Sequence, residues 1–324
     1  MSDLFTHITI PNGKVMLNYG EPMMILGSCF AETMGKKLEE GHFIVDLNPF
    51  GTLYNPASIA TALRTLLNPE RYTHDDIFQH EGAWHSFAHH SRFSSTDEQV
   101  FLGNINDRLF TSADFLRKSR KMIVTLGSAW VYKLKETGKI VSNCHKMPED
   151  MFVREKLSVD DITSDWHNLL LSLWEQLPDL KILFTVSPVR HWKDGAHGNQ
   201  LSKATLLLAI DNLQREFPEQ IDYFPAYEIM MDELRDYRFY ADDMLHPSDK
   251  AADIIWQRFI ECSMSAETQD ILKQWSDIKQ ALDHKPFQPE SESYKKFMSQ
   301  TMLKLERLNE KFPYFVDLLD KKHI

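Results

Sequence analysis

Apolar positions along this chain change period several times, and each change marks an element. Residues 22–26, "PMMIL", form a short continuous apolar run that stops at Gly27, after which Phe30, Met34 and Leu38 recur at helical spacing until Gly41. This predicts a strand handing over to a helix at a small-residue corner, and "THITI" at 6–10 predicts an earlier strand. The rhythm repeats with a strand at 43–47, "FIVDL", and the turn "NPFGTLYNP". In the helix that follows, Asn55 is the expected cap, Pro56 opens the first turn, and Ile59, Leu63, Leu66 and Leu67 make the inner face.

Residues from about 70 to 120 interrupt the rhythm with the histidine-rich "HEGAWHSFAHHSRFS" and a helix expected near 107–120, and read as an insertion. The apolar "KMIVTLG" at 121–127 resumes the pattern. An irregular stretch, a helix at 165–177, the strand "KILFTVSP", a polar loop, a helix at 199–217, a short strand at 221–224 and a helix at 248–262 complete it. Strands alternating with helices predict an α/β fold, a three-layer α/β/α sandwich around a mostly parallel sheet, because parallel neighbours need crossovers that cover both faces. Such sheets bind ligands at the carboxyl ends of their strands, so chemistry is expected at the turns that begin with Gly27, Gly51, Gly127 and Ser187. Beyond 263 the alternation stops. Ile271, Leu272, Trp275, Ile278 and Leu282 predict one amphipathic helix and Phe297, Met302, Leu305, Leu308 and Phe312 another. The expected organisation is a main domain over 1–263 with a helical extension over 264–324. That extension docks on the domain or, on a sharper reading, serves as a dimer contact or a lid.

Composition narrows the function. The net charge of −11 over 324 residues opposes nonspecific binding to nucleic acid or anionic membranes, so neither is an expected partner. The start "MSDLFTHITIPNGK" has neither a basic end nor an apolar core, and no run approaches transmembrane length, which points to the cytoplasm. Three cysteines without CxxC spacing argue against a disulfide framework and a cysteine-rich zinc site. There is no GxSxG elbow, no GxGxxG opening a helix and no GxxxxGK loop, so no nucleotide cofactor is implied.

The strongest chemical signal is "YADDMLHPSDK", where Asp243 precedes His246 by three residues on a turn. At that spacing a carboxylate reaches the histidine's Nδ1 and leaves Nε2 free to accept a hydroxyl proton. Ser28, at the start of a helix whose first amides lack internal partners, is the candidate hydroxyl. Its neighbour Cys29 is a rival nucleophile.

This order of Ser, Gly, Gly and Asp-x-x-His resembles the SGNH (GDSL-like) hydrolase superfamily, and the string GSCFA at 27–31 resembles the signature of its GSCFA-domain family. The resemblance implies an SGNH, flavodoxin-like fold over about residues 5–262. It implies Ser28 as nucleophile, Asp243 and His246 as acid and base, and the Ser28 and Gly51 amides as an oxyanion hole. One departure stands out: "LGSAW" puts Ala129 where the superfamily's third block has asparagine and Trp130 where it has aspartate, with Asn48, Ser128 and, second to its role as helix cap, Asn55 as candidate replacement donors. "HHSRFS" resembles a recurrent segment of the family, which makes His89 and His90 candidate substrate-binding residues. Arg190 and His191, in the polar loop at 187–203, join them as groups that could hold an anion or a sugar hydroxyl. A zinc site at His80, His85, His89 and His90 is not favoured, because "HEGAWH" misses HExxH spacing and no metal is expected. The expected activity is a cofactor-free acyl-ester hydrolase acting on an O-acylated small molecule or carbohydrate. The alternatives are an O-acyltransferase using the same serine and a non-catalytic binding module on the same fold.

Overall fold

A computed structural model describes residues 6–11, 13–284, 287–288 and 290–315. Its strands are β1 (Met23–Gly27), β2 (Val45–Leu47), β3 (Phe78–His80), β4 (Ala83–His85), β5 (Lys121–Leu126), β6 (Trp130–Leu134), β7 (Ile140–Val141), β8 (Phe152–Lys156), β9 (Lys181–Val186) and β10 (Ile221–Phe224). Its helices are α1 (Cys29–Glu40), α2 (Pro56–Leu67), α3 (Glu98–Lys118), α4 (Val159–Gln176), α5 (Gly195–Glu216), the single turn α6 (Ala226–Glu228), α7 (Asp249–Ser263), α8 (Ala266–Asp283) and α9 (Glu292–Lys311).

The central sheet has five parallel strands in the order β2-β1-β5-β9-β10. Successive side chains of β1 serve opposite cores. Met24 and Leu26 pack with Ile59, Leu63, Trp166 and Leu206, while Met23 and Ile25 pack with Phe30, Met34, Ile255 and Phe259. A strand buried on both faces has no polar side, which is why it reads as a continuous apolar run. Strand order reverses between β1 and β5, and the crevice outside their carboxyl ends is where a doubly wound sheet binds ligands. The extension shares the second core through Ile271, Trp275, Ile278, Leu305 and Leu308, and Trp275 Nε1 donates to the Glu40 carbonyl at 2.7 Å. It is docked on the α/β domain.

Four expectations change. Residues 6–10 form no strand, and β2 starts at Val45 rather than at 43. The segment from 70 to 120 is only partly an insertion: β3 and β4 make an antiparallel hairpin, but α3 starts at Glu98, capped by Asp97, and buries Phe101, Ile105, Leu109 and Leu116 as a regular crossover helix. The stretch read as irregular after β5 holds an antiparallel sheet, β7-β6-β8, whose short half-exposed strands present no apolar run.

Candidate active site

Backbone geometry forms the corner after β1. Gly27 has φ +146°, and a Cβ there would lie 2.3 Å from the Thr125 carbonyl of its sheet neighbour, so only glycine fits. The Gly27 N–H donates to Asn48 Oδ1 at 2.8 Å and the Leu53 N–H donates to the Gly27 carbonyl at 2.9 Å, tying the corner to the turn after β2. Ser28 is the N-cap of α1, yet its side chain makes no capping bond. The residue is 1% exposed, and its Oγ is sealed without a hydrogen-bond partner. Burying an unpaired hydroxyl costs stability, so its presence calls for a use.

The late segment is different in kind. His246 Nδ1 lies 2.5 Å from Asp243 Oδ2, while Asp243 Oδ1 accepts from the Leu245 and His246 amides at 2.9 Å each. Those two backbone donors, then the imidazole, push the Asp243 carboxyl down to about 2. The pairing expected from the three-residue spacing is present. Asp243 and His246 sit on an exposed loop, and the Arg190 N–H donates to the Leu245 carbonyl at 3.3 Å, joining that loop to the 187–194 segment.

A cavity of about 580 Å³ opens over these strand ends, lined by Cys29, Asn55, His90, Ser128, Arg190, His191 and His246. Roomier hollows of about 720 and 680 Å³ lie against α8, away from the strand ends. The smaller cavity is the candidate site because it gathers His246, Cys29 beside the corner after β1 and the loops after β5 and β9, while Asp243 lines a neighbouring hollow of about 630 Å³. Its far wall went unnoticed in the sequence. Trp130 and Tyr132 alternate along β6, and Arg154, paired to Tyr132 in the β6–β8 register, stacks on Trp130 at 4.2 Å while bonding Asp194 at 2.5 Å. The period-two placing of two aromatics in "WVYKL" was the available signal.

Lys203 is fully buried, its Nζ donating to the Gly127 carbonyl at 2.8 Å and the Ser187 carbonyl at 2.7 Å. It staples the ends of β5 and β9, and burial pushes its ammonium down to about 7. Its signal was a lysine on the apolar face of α5, three residues before Leu206 and seven before Ile210.

Several candidates fall elsewhere. His89 packs among Phe50, Tyr72 and Phe93, 2% exposed and off the cavity wall, where burial pushes its imidazole down to about 3. The Gly51 N–H closes a turn onto the Asn48 carbonyl at 2.8 Å, and the glycine makes room for His90, whose Cβ would lie 2.2 Å from a Cβ at 51. The Ser28 N–H donates to the Thr125 carbonyl at 3.2 Å. Both amides expected in the oxyanion hole are therefore engaged. Asn48 is buried off the cavity wall with its Nδ2 unpaired, and Asn55 caps α2 by accepting from the Ser58 N–H at 2.8 Å. Cys29 does reach the cavity, but burial raises its thiol above the usual range.

The GSCFA family model matches residues 22–259, and the model of the GSCFA domain protein C-terminal domain matches 275–323. The chain belongs to the GSCFA family. No curated protein matches it. Similar solved structures include three to which this GSCFA chain is only distantly alike. The acetyl xylan esterase Est2A of the rumen bacterium Butyrivibrio proteoclasticus has 12% identity over 76% of this chain and 64% of its own, with a TM-score of 0.38. A candidate GDSL-like lipase of Parabacteroides merdae has 11% over 77% and 98%, with a TM-score of 0.40. A family two carbohydrate esterase of Clostridium thermocellum, solved with cellohexaose, has 10% over 83% and 67%, with a TM-score of 0.35. The GSCFA chain thus spans less than two thirds of the length of Est2A. Among its described residues no helix is long and apolar enough to cross a membrane.

Proposed function

We propose that this GSCFA protein is an SGNH-like acyl-ester hydrolase in which Ser28 is the nucleophile, His246 the general base and acid, and Asp243 the group that orients His246. The observation that carries the reading is the Asp243–His246 pair at 2.5 Å, whose imidazole lines the same cavity as Cys29, the residue next to Ser28 at the strand-to-helix corner. In the first half-reaction Ser28 Oγ adds to the ester carbonyl while His246 Nε2 takes its proton. The tetrahedral intermediate collapses, the alcohol leaves with that proton, and water then repeats the sequence on the acyl-enzyme. Asp243 stays ionised throughout and holds the imidazole by its Nδ1–H. Because Ser28 Oγ is sealed behind the cavity wall in the free protein, substrate seating has to open the corner and bring Oγ to His246. The aromatic wall of Trp130 and Tyr132 supports an O-acylated carbohydrate or small molecule as substrate.

Cys29 supplies a second reading, favoured by its place on the cavity wall. A short activated ester and a fluorophosphonate separate the two. Ser28→Ala and His246→Ala are expected to lower kcat about a thousandfold or more, with the label found on Ser28. Activity lost only in Cys29→Ala would move the nucleophile by one residue, and no Ser28- or Cys29-dependent turnover would leave a binding module.

A further inference from the structure

The proposed tetrahedral intermediate carries a negative oxygen, and its expected donors are short. Ala129 stands at the asparagine position, and the Ser28 and Gly51 amides already serve Thr125 and Asn48. The first-turn amides of α1, at Cys29 and Phe30, lack intrahelical acceptors and can contribute. A side-chain donor is still missing.

We infer that the Nε2–H of His191 is that donor, replacing the asparagine by approaching from the loop after β9. The inference rests on the reading of Ser28 as nucleophile. Its geometric basis is Gly127, the first residue past β5. A methyl on Gly127 would stand 3.1 Å from the Tyr54 carbonyl oxygen, 3.3 Å from Ser28 Cβ and 3.5 Å from His191 Nε2, so the two side chains border the same tight space over a residue without one, with the Tyr54 carbonyl as its third neighbour. His191 lines the cavity, and its Nε2 is sealed without a partner, as Ser28 Oγ is. Two unpaired polar atoms beside one gap at the strand ends are what a site prepared for a transient charge requires, since donors must be in place before that charge exists.

The backbone that carries the ring is tied down: the His191 main-chain N–H donates to Asn199 Oδ1 at 2.9 Å, and the ring itself meets Tyr54 edge-on at 5.9 Å. Burial, reinforced by Lys203, pushes the imidazole down to about 4, so it is neutral at pH 7. A neutral imidazole is a poor base but a good donor, because it stabilises an oxyanion by a hydrogen bond without surrendering its proton. Asn48 Nδ2 is also sealed and unpaired, but its side chain is already committed to the corner, where Asn48 Oδ1 accepts from the Gly27 N–H.

The test compares His191→Ala, His191→Asn and His191→Gln on an activated ester, beside Ser28→Ala. Expected is a fall in kcat of about 10²–10³ for His191→Ala with KM changed less than about threefold, and recovery of at least about tenfold by Asn or Gln, which donate but cannot act as bases. Labelling of Ser28 by a fluorophosphonate should slow in parallel, because the adduct's P–O occupies the same position. In the labelled protein, ¹⁵N-histidine NMR should show one Nε2–H moved downfield that is missing in every His191 variant. If His191→Ala fails to fold, the Asn and Gln variants and the NMR signal carry the test. A kcat for His191→Ala within about fivefold of wild type, with Ser28→Ala inactive, overturns the donor and leaves the nucleophile standing. Asn and Gln variants as inactive as Ala overturn it in favour of a base. Wild type with neither turnover nor labelling at Ser28 overturns both.

Discussion

The corner at Ser28 is dry and set by the sheet, whereas the loop at His246 is wet and set by its own hydrogen bonds. Around Ser28 the polar atoms that matter are buried and several are unpaired: Ser28 Oγ, Asn48 Nδ2 and His191 Nε2. Around His246 the side chains are about half exposed, at 49% and 46% for His246 and Asp243, and the carboxylate is fully engaged. A dry environment strengthens every electrostatic interaction within it, while a wet loop can exchange protons with solvent. On the proposed reading the two regions divide the labour of a hydrolase: the dry one would hold the developing charge and the wet one would move the proton.

The largest expected effect falls on the wet side. Asp243→Asn should lower kcat about 10³–10⁴-fold, because an amide holds the wrong tautomer of His246. The urea midpoint should stay at the wild-type value, since the pair is solvated. A midpoint that drops with activity would show that the loop is part of the folding core and would erase the contrast.

Next in size is Gly27→Ala. The added carbon meets the Thr125 carbonyl at 2.3 Å in a left-handed backbone, so unfolding in urea should show a loss of about 3 kcal/mol or more. Gly82 sharpens the comparison. It too has positive φ, +78°, but a Cβ there meets nothing within 4 Å. Gly82→Ala should cost only the left-handed conformation, about 1–2 kcal/mol. Equal losses at the two sites would mean that crowding at the corner has been overstated.

Acid should expose the dry side. His89 is buried neutral, with its folded pKa pushed down to about 3, below the unfolded value of roughly 6.5. Below that unfolded value the unfolded chain binds the extra proton first. Stability is then fully present above about pH 6.5 and falls toward pH 3 by up to about 1.4 kcal/mol per unit. His89→Phe, which keeps a ring among Phe50, Tyr72 and Phe93, should flatten the fall in urea midpoints between about pH 6 and pH 4. The share due to His191, depressed to about 4, should remain.

What the chain disclosed in advance was mostly local. The β1 corner could be read because an apolar run stops at two small residues, the Asn55 cap because it precedes Pro56, and the Asp243–His246 bond because three residues of turn close that distance. What stayed hidden depends on distant chain. His89 and His90 look alike in "HHSRF", but neighbouring side chains diverge, sending one into an aromatic cluster and the other to the cavity. Gly51 was expected to offer its amide to an oxyanion, whereas its missing side chain makes room for His90. Lys203 departs from any charge pattern because its partners, the Gly127 and Ser187 carbonyls, exist only once β5 and β9 lie side by side.

The smallest effect separates two serines in the same formal position. Ser28 caps α1 and Ser248 caps α7, both with extended backbone, but only Ser248 accepts a hydrogen bond from the first turn, from the Ala251 N–H at 3.3 Å. A capping serine replaced by alanine ordinarily costs about 1 kcal/mol, because an amide loses its acceptor. Ser248→Ala should show that loss. Ser28→Ala removes a hydroxyl that bonds nothing and leaves a methyl in a sealed site, so its urea midpoint should match wild type or rise slightly while activity disappears. Stability held or gained as activity is lost marks a residue kept for chemistry at some expense to the fold. A Ser28→Ala protein destabilised as much as Ser248→Ala would instead make Ser28 an ordinary cap and leave the dry corner without its function.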